Sequence, residues 1–96
     1  MIKPYLTNKN MLVPYYLMYS YAYYQENESL IEDSEYDQIC QDLITNWHDI
    51  THWHKPLLNL ESLKAGTGYD IKYPPRVVGA AIALIKESQL KTTEMD

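Results

Sequence analysis

Four residue types are scarce or absent in this chain: cysteine, glycine, arginine and phenylalanine. Its 96 residues include one cysteine, three glycines, one arginine and no phenylalanine. A single cysteine, Cys40, excludes an intrachain disulfide and suits a reducing compartment. The scarcity of glycine and a hydrophobic fraction of 46% argue against a disordered chain. The sequence therefore predicts one small folded domain.

Basic charge and long apolar runs are also scarce. The net charge of −5 lacks the basic footprint of a nucleic-acid binder, and no apolar run approaches the roughly 20 residues that cross a membrane. Pro4, Asn8, Lys9 and Asn10 interrupt any signal-peptide core. We therefore expect a cytoplasmic protein without direct nucleic-acid or membrane binding. The single Arg76 against seven lysines hints at an AT-rich gene such as a bacteriophage gene, which would place the protein in the host cytoplasm.

Tyrosine is abundant, with ten residues, and several tyrosines mark a first helix. This helix is predicted from about Met11 to Gln25, with Asn10 as its N-cap and Pro14 in its first turn. An aromatic stripe at spacings of three and four supports it, and Tyr24 lies beside the stripe. The stripe consists of Leu12, Tyr15, Tyr16, Tyr19 and Tyr23.

A second helix is predicted to begin near Asp33. Asp33, Glu35 and Asp37 would lie at its start, where the helix dipole favours negative charge. One apolar face then recurs with the helical period. That face consists of Tyr36, Ile39, Cys40, Leu43 and Trp47.

The remainder is predicted to be a proline-rich connector, residues 48–75, followed by a third helix. The connector contains the run Leu57, Leu58 and Leu60, which is either a short strand or a tether, and the tight turn "KAGTGYD" at 64–70.

The third helix is predicted from Pro75 to about Leu90. It is apolar nearly all round and is therefore either central to the core or covered by a partner, with Gly79 allowing another backbone to approach. The expected fold is all-α: a helical hairpin, the connector and a C-terminal helix, forming one domain over 1–90 with a flexible tail at 91–96.

The stretch "YAYYQENESLIEDSEYDQICQDL", residues 21–43, joins an aromatic cluster to an acidic run. Capping alone accounts for carboxylates at a helix start, and tyrosines at helical spacing usually indicate a core. The order and spacing, however, resemble the signature Y-x-Y-[YH]-x(8)-D-x-E-Y-D-x-L-x-x-E-L of the N-terminal Ia domain of NAD-dependent DNA ligases. The positions that match without a gap are Tyr21, Tyr23, Tyr24, Asp33, Glu35, Tyr36 and Asp37. Ile39, Asp42 and Leu43 follow the trailing pattern, whereas Ser29 and Glu32 depart from it.

A second segment, "HKPLLNLESL" at 54–63, is similar to the P-M-L-S-L-D-N segment that opens the adenylation domain of the same family. The resemblance then covers about residues 19–63. The nucleophilic lysine of a K-x-D-G motif is missing, since Lys64 precedes Ala-Gly-Thr and Lys72 precedes Tyr-Pro-Pro. A chain of this length also leaves no room for the other ligase domains, so we expect that it is not an enzyme by itself.

The resemblance implies a site for the nicotinamide mononucleotide (NMN) half of NAD. Tyr23 and Tyr24 would hold the ring, while Asp33, Tyr36 and Asp37 would contact the ribose and the amide. A flat nicotinamidium cation is attracted by aromatic faces and by carboxylates. The chain would then bind NAD or NMN without catalysis, as an accessory part of a split ligase.

Protein recognition is the alternative. A small acidic protein of the phage type could use the Ia-like shape as a scaffold that binds and modulates a host protein, with exposed tyrosines as contact residues. Either function implies a protein partner, which is the ligase remainder or a host protein.

Other residue groups give weaker signals. His48 and His52 would share one face of a helix, and His54 and Asp49 lie close in sequence, but no HExxH motif is present. Surface or packed histidines are the more usual interpretation, and we expect no metal. Cys40 lies on the apolar face of the second helix and is expected to pack as a small hydrophobic residue.

Overall fold

The protein is all-α. A computed structural model describes residues 4–52, 54–65 and 71–94, and these contain helices and no strand. The α-helices are α1 (Pro4–Thr7), α2 (Leu12–Gln25), α3 (Asp33–Thr45), α4 (Leu60–Ala65) and α5 (Pro75–Glu94). Short 3₁₀ helices lie at Lys9–Met11, Trp47–Asp49 and Lys55–Leu57. The predicted turn at 64–70 falls mostly outside the described residues.

Helix α2 is the central element, and α3 and α5 both pack against it. Its buried residues surround most of the helix: Leu12, Val13, Tyr16, Leu17, Met18, Tyr19, Ser20 and Ala22. Burying a large apolar side chain fully contributes about 1.5–3 kcal/mol, so α2 carries much of the core. The aromatic stripe leaves the core at its end, because Tyr19 is buried whereas Tyr23 is exposed.

Helix α5 begins at Pro75, as predicted, but it ends later than predicted. It buries Val77, Ala81 and Ile85 at intervals of four residues, and Gly79 is exposed with no atom within 4 Å of where a Cβ would stand. No backbone approaches that glycine within the described part of the chain. The helix continues past Leu90 to Glu94, into the segment predicted to be a flexible tail.

Helix α3 begins at Asp33, as its acidic first turn predicts, and its amphipathic face packs inward. Ile39, Cys40 and Leu43 are buried and Tyr36 is partly buried. Trp47 also packs against the core, but it does so from the 3₁₀ turn that follows the helix.

The N-terminal segment is more ordered than the sequence suggests. Asn10 does not cap α2, which starts at Leu12; instead the Asn10 side chain accepts from the Thr51 amide at 3.0 Å and donates to its hydroxyl at 3.3 Å. This pair ties the start of α2 to the connector. Helix α1 places the Tyr5 ring against Tyr15 and Tyr19, with ring centroids 5.3 and 6.4 Å away.

The predicted irregular connector contains short helices among its described residues and contributes to the core. Leu57 lies in a 3₁₀ turn and Leu60 begins α4, so the run is neither a strand nor a loose tether. Leu58 and Leu63 are buried, and α4 packs on α3. A sequence with three prolines between 48 and 75 still forms short helical turns because proline is tolerated at their first positions. Within the described residues, no helix is both long and apolar enough to span a bilayer.

Candidate functional site

A cleft opens between the end of α2 and the start of α3, and the loop 26–32 closes one side of it. Its volume is about 240 Å³. The residues that line it are Tyr19, Tyr23, Tyr24, Ser29, Leu30, Ile31, Asp33, Tyr36 and Asp37. All five residues predicted from the sequence therefore border one cleft.

Local backbone geometry creates the cleft. Asn27 adopts a left-handed conformation with φ of 55°, and the Glu28 amide donates to the Ala22 carbonyl at 2.8 Å. Asparagine tolerates this conformation better than most residues, so it ends α2 and turns the chain. The Glu32 carbonyl then accepts from the amides of Glu35 and Tyr36, both at 3.0 Å, and starts α3.

Tyr23 and Tyr24 form the aromatic wall of the cleft. Tyr23 is 50% exposed and Tyr24 is 37% exposed. Their ring centroids lie 4.9 Å apart with an interplanar angle of 48°. Two rings that enclose a third need about 7 Å between their planes, since each contact takes about 3.5 Å. In this conformation the pair therefore offers an exposed aromatic face rather than a slot between two rings.

The third tyrosine of the motif faces elsewhere. The Tyr21 ring packs edge-on against Tyr73, with centroids 5.4 Å apart, and its hydroxyl donates to Glu26 at 3.3 Å. Tyr21 thus holds the segment before α5 instead of lining the cleft. Desolvation and the nearby Glu26 carboxylate raise the pKa of Tyr21.

Asp33 and Asp37 supply the negative charge of the cleft. They lie one helical turn apart and are both exposed. Neither carboxylate makes a hydrogen bond or ion pair with the part of the chain that the structure describes. Glu35, between them, accepts a hydrogen bond from the Tyr5 hydroxyl. Of the three acids at the start of α3, Glu35 is used to attach α1, and Asp33 and Asp37 are exposed at the cleft.

Tyr36 lines the cleft, but its hydroxyl is engaged inside the protein. That hydroxyl lies 2.6 Å from the Ser20 hydroxyl, and its ring packs on Tyr16 with centroids 5.5 Å apart. Burial, with a further contribution from Tyr16, raises the pKa of Tyr36, and burial raises the pKa of Tyr16 to about 12. The contact with Ser20 joins α2 to α3, whereas the resemblance implies that Tyr36 contacts a ligand.

Four lining residues were not among the predicted site residues. Tyr19 continues the aromatic wall inward, and Ser29, Leu30 and Ile31 come from the closing loop. Leu30 and Ile31 are partly buried against the core, which anchors the loop. The sequence did contain a signal for Leu30 and Ile31, because they are the two apolar residues in the otherwise polar stretch between the helices.

The arrangement fits a flat organic cation bound to a sugar. An aromatic face attracts such a cation, and two exposed carboxylates can accept hydrogen bonds from ribose hydroxyls. The volume of about 240 Å³ lies below the usual range of roughly 300–1,000 Å³ for ligand pockets, so the cleft suits one ring and one sugar rather than a whole dinucleotide. The nicotinamidium and ribose of NMN meet these requirements.

Cys40 and the histidines offer no comparable site. Burial and the neighbouring Asp37 charge raise the pKa of the Cys40 thiol to about 11, so it stays protonated. His48 lies in a 3₁₀ turn and His52 beyond it, which removes the helical spacing on which the metal alternative rested. No group of three or more potential metal ligands occurs among the residues the structure describes.

His52 is expected to make stability depend on pH. Its Nδ1 accepts from the His54 amide at 3.1 Å, and burial and His54 lower the pKa of His52. The unfolded chain then binds the proton more readily, so the stabilisation is complete above about pH 6.5 and is lost as the pH falls through the lower folded pKa. We predict that unfolding free energy decreases from about pH 7.5 to about pH 5.5.

The matched variants are His52→Asn and His48→Gln. An asparagine oxygen can accept the same amide proton without titrating in this range, so His52→Asn should flatten the pH dependence, measured by denaturant unfolding. His48 is exposed, and His48→Gln should leave the slope unchanged. Equal slopes in all three proteins would contradict the assignment.

Comparisons with known proteins identify no relative. No protein-family model matches the chain, and searches of curated proteins and of solved structures find no match either. The resemblance to the ligase Ia domain therefore rests on the sequence motif alone.

Proposed function

We propose that this chain is a noncatalytic binding module that holds the nicotinamidium and ribose of NMN, free or as part of NAD, in the cleft between α2 and α3. One observation carries the proposal: aromatic faces and unpaired carboxylates from two helices border a single cleft. Capping alone would require the carboxylates at the start of α3, but it would not require exposed rings opposite them.

Each group has a defined part in this proposal. Tyr23 and Tyr24 offer an aromatic face to the cationic ring. Asp33 and Asp37 attract its charge and accept hydrogen bonds from the ribose hydroxyls. Tyr36 holds α3 against α2 through a hydrogen bond between its hydroxyl and the Ser20 hydroxyl, whose oxygens lie 2.6 Å apart. NMN supplies the cation and the sugar; the protein contributes shape and charge.

The motif resemblance suggests the biological setting. A module of this kind could be the accessory part of a split NAD-dependent DNA ligase, contributing the nicotinamide half of a site completed by an adenylation partner. Residues 54–63, which resemble the start of an adenylation domain, do not line the cleft and instead pack through Leu58 and Leu63 into this domain's own core. The adenine half of NAD would thus have to be bound by the partner.

Protein docking is the second candidate, favoured by a different observation. Leu6 is 65% exposed, and on α5 Gly79, Ala80 and Ala83 are exposed beside the partly buried Val78. These surfaces lie outside the cleft and would suit a host protein that the chain binds and modulates.

Calorimetric titration with NMN and with NAD tests the first candidate. We expect heat of binding with micromolar to millimolar dissociation constants, as for a small partly open site (about −4 to −8 kcal/mol). Tyr23→Ala should weaken binding by roughly tenfold, because stacking on one aromatic side chain contributes about 1–3 kcal/mol. Tyr73→Ala is the matched control, since Tyr73 packs against Tyr21 and neither residue lines the cleft. Absence of heat with every nicotinamide ligand would overturn nucleotide binding and leave protein docking.

A further inference from the structure

The charge of the cleft distinguishes among nicotinamide ligands. Its lining residues carry two negative side chains, Asp33 and Asp37, and no lysine or arginine. NMN carries a phosphate with a charge of about −1.5 to −2 at pH 7. The same carboxylates that attract the nicotinamidium therefore repel the phosphate.

The start of α3 borders the cleft, and helix N-termini commonly bind phosphate through free amides. The amides of Glu35 and Tyr36 already donate to the Glu32 carbonyl at 3.0 Å, so a phosphate would have to use the amides of Asp33 and Ser34 in the same turn. Asp33 and Glu35 also place negative charge in that first turn, which offsets the positive end of the helix dipole. The helix start thus does not compensate for the missing basic side chains.

From these observations we infer that the cleft is selective for nicotinamide cations without phosphate, such as nicotinamide riboside, over NMN and NAD. This inference rests on the proposed function, because it concerns the same cleft and the same aromatic face. The riboside keeps the flat cation and the 2′ and 3′ hydroxyls of the ribose. It lacks the phosphate that the carboxylates repel. The cleft volume of about 240 Å³ also matches one ring and one sugar.

Parallel calorimetric titrations test this selectivity. The ligands are nicotinamide riboside, NMN, uncharged nicotinamide and ribose 5-phosphate, at about pH 7.5, where the phosphate is mostly dianionic. We expect the riboside to bind roughly fivefold or more tightly than NMN at low salt. The difference in affinity between the riboside and NMN should become smaller in about 0.5 M salt, because salt screens the repulsion between the phosphate and the carboxylates. Free nicotinamide, whose ring is uncharged, should bind more weakly than the riboside. Ribose 5-phosphate should not bind.

The variant Asp37→Asn supplies the decisive comparison. Removing one carboxylate should weaken riboside binding and reduce the difference between riboside and NMN. If NMN binds as tightly as the riboside or more tightly, and Tyr23→Ala weakens both, the selectivity is wrong while the proposed function stands. If neither ligand binds, the proposed function fails and the selectivity fails with it.

Discussion

Replacing Asp33 and Asp37 together by asparagine is expected to weaken the binding of nicotinamide riboside strongly, and the binding of NMN by a smaller factor because its phosphate is no longer repelled. Both carboxylates are exposed at the cleft, and neither makes a hydrogen bond or ion pair with the described residues. Their charge is therefore available to a ligand. Hydrogen bonds to charged groups are stronger than neutral ones, and losing two of them predicts a loss of roughly 30-fold or more. Calorimetry on the double variant measures this loss.

The matched control is the double variant Glu61→Gln with Glu87→Gln. It removes the same number of negative charges from exposed positions outside the cleft lining. Binding close to that of the wild type in this control, with a large loss in the cleft variant, would assign the effect to the two aspartates rather than to net charge. Thermal unfolding of both variants checks that the fold is retained, since asparagine at the start of α3 loses a favourable dipole interaction of about 0.3–1 kcal/mol. Equal binding by the two variants would contradict the assigned site.

Local signals explain why the cleft could be predicted at all. Asp33 marks the start of α3, and helical spacing places Tyr23 and Tyr24 near the end of α2. A short loop between two helices forces the end of one to lie near the start of the next. The aromatic and acidic groups at those two ends must then be neighbours, so the motif and the geometry of a helical hairpin lead to the same residues.

Interactions between distant residues could not be predicted in the same way. The hydroxyl of Tyr5 finds Glu35, which is 30 positions away, and Tyr36 is joined to Ser20 across the helix pair. No periodicity specifies which polar side chain a buried hydroxyl meets. The motif therefore groups Glu35 and Tyr36 with the aspartates, whereas tertiary packing uses both of them inside the protein.

Hydrophobicity alone left open whether the third helix is central to the core or covered by a partner. The segment 76–85 is apolar nearly all round, yet its exposed positions include Gly79, Ala80 and Ala83, small residues that lose little by facing solvent. Helix α2 is central because tyrosines such as Tyr16, 1% exposed, bury large rings while their hydroxyls find partners. A helix rich in tyrosine can therefore form the centre of a core when its hydroxyls find hydrogen-bond partners.

Substitution of Tyr36, whose hydroxyl is hydrogen-bonded to Ser20, is expected to have the second large effect, a loss of stability. Tyr36→Ala is expected to lower the free energy of unfolding by about 3 kcal/mol, because it removes a ring that packs on Tyr16 at 5.5 Å between centroids. Tyr36→Phe keeps the ring and removes only the hydroxyl, so it should cost about 1 kcal/mol. Denaturant unfolding with a constant m-value measures both losses.

Ligand binding by Tyr36→Phe separates the two possible roles of this tyrosine. Because the hydroxyl lies 2.6 Å from the Ser20 hydroxyl, Tyr36→Phe should bind nicotinamide riboside nearly as well as the wild type, while Tyr23→Ala binds it roughly tenfold more weakly. A double-mutant cycle with Ser20→Ala should show coupling in stability, since either substitution removes the same hydrogen bond. A large loss of affinity in Tyr36→Phe, without that coupling, would instead mean that the hydroxyl turns outward to the ligand as the ligase motif implies. The affinity and the cycle together thus decide whether Tyr36 shapes the cleft or contacts what it holds.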